Sequence, residues 1–182
     1  MRFLPTDLPG ALIVEPDVFR DARGFFVESY QFEKLRAGGI GQVFVQDNHS
    51  FSQRGVLRGL HMQHRRPQAK LVRVVSGEIY DIAVDVRRLS PSFGKFAAAN
   101  LSGENFRQMF IPAGYAHGFV VLSDEAHVLY KADAYYDAGG ELTVRWDDPE
   151  LAIPWPVAEP VVSDKDRAGL SVAEAQRFLT SP

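Results

Sequence analysis

LVRVVSGEIYDIAVDVR, Leu71–Arg87, consists of two β-type runs joined at Gly77. In the second run Tyr80, Ile82, Val84 and Val86 alternate with Ile79, Asp81, Ala83 and Asp85. A period of two puts an almost purely apolar row on one face of a strand. Working outward, runs of the same kind recur at Gly24–Ser29, Val43–Asn48, Phe93–Leu101, Gln108–Ile111, His117–Leu122, Ala126–Ala134 and Leu142–Trp146. Glycine and proline break them up, and no long helical period interrupts the stretch from Val43 to Trp146. This pattern predicts a mainly β fold, a sandwich or barrel. Two short helices are expected to flank it. One is capped by Ser29 and runs through Phe32 and Leu35 to a stop at Gly38-Gly39; the other covers Ala175–Leu179, behind the capping-box pattern Ser171-Val-Ala-Glu174. Pro149–Pro160 holds four prolines and reads as an extended crossing segment, because proline neither continues a helix nor donates to a sheet.

The bulk properties bound what such a fold can do. At 182 residues, 46 % hydrophobic and 24 % charged, the chain has the size and composition of one globular domain. We expect an N-terminal arm over about 1–40, a β core over about 41–147 and a C-terminal segment over about 148–182. A formal charge of −3 argues against general binding to nucleic acid or an acidic membrane, so an anionic ligand would need a local cluster of arginine and lysine. With no cysteine there is no thiol nucleophile and no thiolate metal site, and a cytoplasmic location fits. No apolar run approaches the roughly 20 residues that span a bilayer, so no membrane association is expected.

Three of the five histidines, His61, His64 and His117, sit in settings that suggest a site. His61 lies in Gly55-Val-Leu-Arg-Gly-Leu-His61, and His117 in Pro112-Ala-Gly-Tyr-Ala-His117. The spacing Pro112-x-Gly114-x-x-His117 is similar to the turn by which cupin barrels bring a histidine to the barrel mouth. It therefore puts a cupin-type jelly-roll β-barrel first among the β folds. Metal-binding cupins carry a His-x-His pair, whereas here the spacing is His61-x-x-His64. On a strand an interval of three sends two side chains to opposite faces, which favours an organic acid–base site over a metal site.

A longer series of motifs runs through nearly the whole chain, from Ile13 to Asp166. It includes Asp21-x-Arg-Gly-Phe-Phe-x-Glu28, Gln46-Asp-Asn-His-Ser50, Leu57-Arg-Gly-Leu-His61, Lys70-Leu-Val, Val84-Asp-x-Arg87, Ser90-Pro-Ser-Phe-Gly94, Tyr130-Lys131, Trp146-x-Asp-Pro149 and Ser163-x-Lys-Asp166. In this order they closely resemble the dTDP-4-dehydrorhamnose 3,5-epimerase family. The resemblance implies epimerisation at C3 and C5 of dTDP-4-dehydro-6-deoxy-D-glucose, with no cofactor and no metal. It also implies a homodimer whose N-terminal arm reaches into the neighbouring subunit's site.

Each functional residue follows from matching these motifs. A C4 ketone acidifies the hydrogens on C3 and C5, so the reaction needs a base on one face, an acid on the other and a cation at the enolate oxygen. His61 is the expected base, because imidazole titrates near neutrality, and the resemblance makes Asp166 its partner. Tyr130 is the expected acid and Lys70 the cation beside the ketone. Arg23, Arg58 and His117 are the candidates for the two phosphates. Phe25 and Glu28 fall near the thymine, Gln46 and Asn48 along the sugar-diphosphate path, and Tyr136 against the nucleotide. Met62, Ala69 and Asp137-Ala-Gly-Gly140 depart from the family's usual residues around the sugar pocket. An enzyme that inverts only C3 or only C5 of a related dTDP-4-keto sugar is the alternative, ahead of a non-catalytic or metal-dependent cupin.

Overall fold

A computed structural model describes residues 1–179. In chain order its strands are β1 (Arg2–Pro5), β2 (Leu12–Glu15), β3 (Val18–Asp21), β4 (Gly24–Val27), β5 (Gln46–Gln53), β6 (Leu57–Gln63) and β7 (Lys70–Ser76). They continue as β8 (Glu78–Val84), β9 (Phe96–Ser102), β10 (Gln108–Ile111), β11 (Ala116–Val121), β12 (Glu125–Ala132) and β13 (Glu141–Thr143). The helices are α1 (Phe32–Ala37), α2 (Asp164–Arg167) and α3 (Val172–Ala175), with a 3-10 turn at Ala138–Gly140. Among the described residues no helix is long and apolar enough to cross a membrane.

The strands form two antiparallel sheets ordered β1-β2-β10-β7-β12-β5 and β13-β6-β11-β8-β9, plus a separate β3-β4 hairpin. Together they make the expected cupin-type jelly roll. Inward rows meet between the sheets: Val72 and Val74 from one, Ile79, Ala83, Leu101 and Val121 from the other, with Met109 and Val128, all buried. The opposite face of the second sheet is covered as well. Ile82, Val84 and Leu60 pack there against Leu151, Val172 and Ala175, with Trp155 at the edge. The proline-rich segment thus crosses a sheet face, and β8 is buried on both sides because both sides are covered.

Gly77 joins β7 to β8 at a φ of +81°, and a Cβ there would fall 2.0 Å from the Glu125 carbonyl oxygen, so only glycine fits. Several boundaries differ from expectation. β5 starts at Gln46 and runs to Gln53, later than the expected Val43–Asn48, because its inward row is the polar series Gln46, Asn48, Ser50 and Ser52 while Val43 and Val45 lie exposed. The first helix is capped by Gln31 rather than Ser29, the Gln31 side chain accepting from the Lys34 N–H. The capping box of Ser171 and Glu174 is present, but the helix it starts is Val172–Ala175, and residues 176–178 form a turn. β1, β2, β3 and β6 were not among the expected runs: the first three are too short to show a period, and β6 pairs irregularly with β11.

Candidate active site

One end of the barrel is left open to form a cavity of about 240 Å³. Arg58, His61, Lys70, His117, Tyr130 and Tyr136 all line it, together with Ser50, Met62, Gln63, Gln68, Phe119 and Glu141. The inward rows that are apolar deeper in the barrel turn polar here. Val74 and Val72 are followed on β7 by Lys70, and Ala126 and Val128 on β12 by Tyr130. On β5, Asn48 pairs in register with Tyr130. Gln46 donates to Asn48 at 3.0 Å and accepts from the Tyr136 N–H at 3.0 Å, which ties both residues to the cavity's edge.

Arg58 and His61 are three apart, yet both reach the cavity. The pairing of β6 with β11 slips between them, so that His61 faces His117 while Arg58 faces Phe119: four residues of β6 span the distance of three on β11. This bulge reverses the parity of the strand. It depends on Gly59, at φ +140°, where a Cβ would lie 2.6 Å from the Gly118 Cα.

His61 Nε2 is 2.6 Å from Asp166 Oδ1. Asp166 comes from α2, capped by Ser163, and Val161 pairs with Val56 so that this helix sits over β6. Burial alone would raise the Asp166 carboxyl, but hydrogen bonds from His61, the Gly59 N–H and Ser163 hold it below the usual carboxylate range. Asp166 therefore stands as a fixed anion behind the His61 ring. Burial pushes Lys70 down to about 8, against the pull of Asp81 and Glu141. Its Nζ lies 5.9 Å from the centre of the Tyr130 ring. Burial, with Glu141 nearby, raises Tyr130 despite Arg58, so the phenol keeps its proton at neutral pH.

His117 has a different environment from the one the sequence suggested. Its Nε2 is 2.7 Å from Asp81 Oδ1, and both side chains are buried. Burial, opposed by Asp81 and reinforced by Lys70 and His61, lowers its pKa, so the ring is neutral at neutral pH rather than a cation for phosphate. Arg23, Phe25 and Glu28 are not at this cavity. Arg23 pairs with Asp21 at 2.6 Å, Phe25 is 56 % exposed, and Glu28 pairs with Lys34 at 2.7 Å, all on or beside the β3-β4 hairpin. Glu141, Gln63, Gln68 and Asp81 went unnoticed in the sequence, where each is an ordinary polar residue. The alternation of Ile79, Asp81 and Ala83 was the one signal for Asp81, an acid in an apolar row. Among the described residues no group of three or more His, Asp or Glu side chains is placed to hold a metal ion.

A family profile described as dTDP-4-dehydrorhamnose 3,5-epimerase matches residues 5–174. The dTDP-4-dehydrorhamnose 3,5-epimerase of Shigella flexneri is 50 % identical, over 98 % of this chain and 100 % of its own. That of Pseudomonas aeruginosa is 53 % identical, over 94 % and 96 %. The crystal structure of dTDP-6-deoxy-D-glucose-3,5-epimerase from Legionella pneumophila, in complex with dTDP-4-keto-L-rhamnose, superposes with a TM-score of 0.93 at 46 % identity, covering 98 % of this chain and 96 % of that one.

Proposed function

Because this chain belongs to the dTDP-4-dehydrorhamnose 3,5-epimerase family, we propose that the cavity residues divide the work of that reaction as follows. The activity is epimerisation at C3 and C5 of dTDP-4-dehydro-6-deoxy-D-glucose, giving dTDP-4-dehydro-L-rhamnose. His61, backed by Asp166, removes the proton from a carbon next to the C4 ketone, using the ring nitrogen that Asp166 does not hold. The Lys70 ammonium stabilises the enolate oxygen; such a preorganised donor is commonly worth about 10²- to 10³-fold in rate. Tyr130 returns a proton from the opposite face, which inverts the carbon. The same ketone acidifies C3 and C5, so one base and one acid serve both centres in turn. The observation that carries this reading is that the His61–Asp166 pair, Lys70 and Tyr130 share one cavity.

At about 240 Å³ the cavity is smaller than the roughly 300–1,000 Å³ usual for small-molecule sites. In our reading it takes the sugar, with Arg58 towards the diphosphate and Gln46, Asn48 and Tyr136 along its rim. The nucleotide is completed by Arg23, Phe25 and Glu28 from a second copy of the chain. Support for this homodimer comes from the hairpin itself, which carries Phe19, Phe25 and Phe26 at 63, 56 and 69 % exposure, a costly display of aromatic surface for an isolated chain.

Turnover in deuterated water tests the assignment. The wild-type enzyme should place deuterium at both C3 and C5, read by NMR and mass spectrometry, and His61→Asn should place none while dTDP affinity stays close to wild type. Label confined to one carbon would contradict double inversion; near-normal exchange by His61→Asn would remove His61 as the base.

A further inference from the structure

Asp81 stands on β8 in the inward row Ile79, Asp81, Ala83, paired in register with Phe119 of β11 and Ala99 of β9. It is fully buried. Oδ1 accepts from His117, whereas Oδ2 is buried with no hydrogen-bond partner among the described residues. A carboxylate taken out of water needs its oxygens filled, and one left half satisfied does not stabilise a fold. An apolar residue at this place in the row would serve packing better.

Its charge matters to the cavity. Lys70 shares the cavity with Glu141 from β13, His117 from β11, His61 and Arg58 from β6, and Tyr130 from β12, and Asp81 from β8 stands directly behind one of these walls, 2.7 Å from His117. Two of these are carboxylates. Glu141 already accepts from Tyr136 OH and from the Lys165 ammonium. Asp81 has given one oxygen to His117, and the other has no partner among the described residues.

We propose that Asp81 is a positioning residue of the epimerase, whose buried carboxylate fixes His117 as the tautomer protonated towards Asp81 and supplies the negative charge that keeps Lys70 an ammonium. The first effect follows from the 2.7 Å contact: a neutral ring that donates to Asp81 turns a lone pair, not a proton, to the other side. His117 then offers the sugar an acceptor, suited to a hydroxyl rather than a phosphate oxygen. The second effect is electrostatic, since an opposite charge in a water-poor site opposes the loss of a proton that burial favours. Its catalytic consequence rests on the assignment of Lys70 to the enolate oxygen.

The test is Asp81→Asn, nearly equal in shape and neutral. Lysine side chains labelled with carbon-13, with the Lys70 signal identified by its loss in Lys70→Met, report the titration of Lys70 in the intact enzyme. In Asp81→Asn that titration should move down by about one pH unit or more, and the alkaline limb of kcat/KM should move with it. A Lys70 titration at its wild-type pH in Asp81→Asn would overturn the proposal. If the titration moves and the alkaline limb does not, Asp81 keeps its role and the catalytic assignment of Lys70 falls instead. If Asp81→Asn does not fold, the Asp81 carboxyl carbon of the wild type carries the test. Its signal should show a step at the pH where Lys70 titrates, and the absence of that step would overturn the proposal equally.

Discussion

Burial pushes Lys70 down to about 8, with Asp81 and Glu141 resisting, and this sets both its chemistry and its cost. In the unfolded chain the group keeps its ordinary value near 10.5. Below pH 8 it is charged in both states, and folding bears the full penalty of burying it. Between 8 and 10.5 the folded chain gives up its proton first, so this contribution to stability rises with pH, and above 10.5 the penalty is gone. Lys70→Met should therefore raise stability at neutral pH by on the order of 2–3 kcal/mol and abolish turnover, measured by urea unfolding and by product formation. In the wild type the alkaline limb of kcat/KM should fall near pH 8. A Lys70→Met variant no more stable than wild type would contradict the burial penalty.

β6 is the element on which the site depends, because its bulge at Gly59 brings Arg58 and His61 to one face. A methyl group at Gly59 would meet the Gly118 backbone 2.6 Å away, and the φ of +140° already disfavours any other residue. Gly59→Ala should destabilise the fold by roughly 2–3 kcal/mol. Whatever folds should have lost most of its activity, as the strand reverts to regular pairing and Arg58 turns from His61. Unfolding curves and turnover measured together check this; a stable and active Gly59→Ala would show that the bulge survives a side chain. Sequence periodicity misjudges such a strand by design, since an interval of three means opposite faces only where the pairing is regular. β5 poses the converse difficulty: its inward row is polar, so the apolar alternation that marks other strands is missing although the strand is complete.

At the scale of the molecule the β3-β4 hairpin is the unexplained surface. Arg20 stacks over Phe25 and Phe106 at 5.9 and 5.3 Å, but Phe19, Phe25 and Phe26 remain more than half exposed and the Arg23 side chain is 90 % exposed. If the hairpin of one copy completes the site of another, two inactive variants should complement each other. Arg23→Ala retains the catalytic cavity and lacks the arm's cation, whereas His61→Asn retains the arm and lacks the base. Co-expressed, they should form mixed dimers that recover turnover neither variant shows alone. Activity no greater than the sum of the two parents would mean that the arm serves its own chain.

The sequence by itself determined the β class, through the alternation at Glu78–Arg87, and the family, through motifs whose order pointed to one group of epimerases. It also determined the capping box at Ser171, because a cap is local chemistry between residues three apart. Only the tertiary structure decided which residues meet. Asp166 reaches His61 across 105 positions, Asp81 reaches His117 across 36, and the bulge puts Arg58 beside them. It also placed His117 and Lys70 in surroundings that lower the proton affinity of each. Both properties come from burial and from the charges of distant strands. Neighbours in sequence set a strand's period and a helix's cap, but the field inside a barrel is the sum over all the strands that close it.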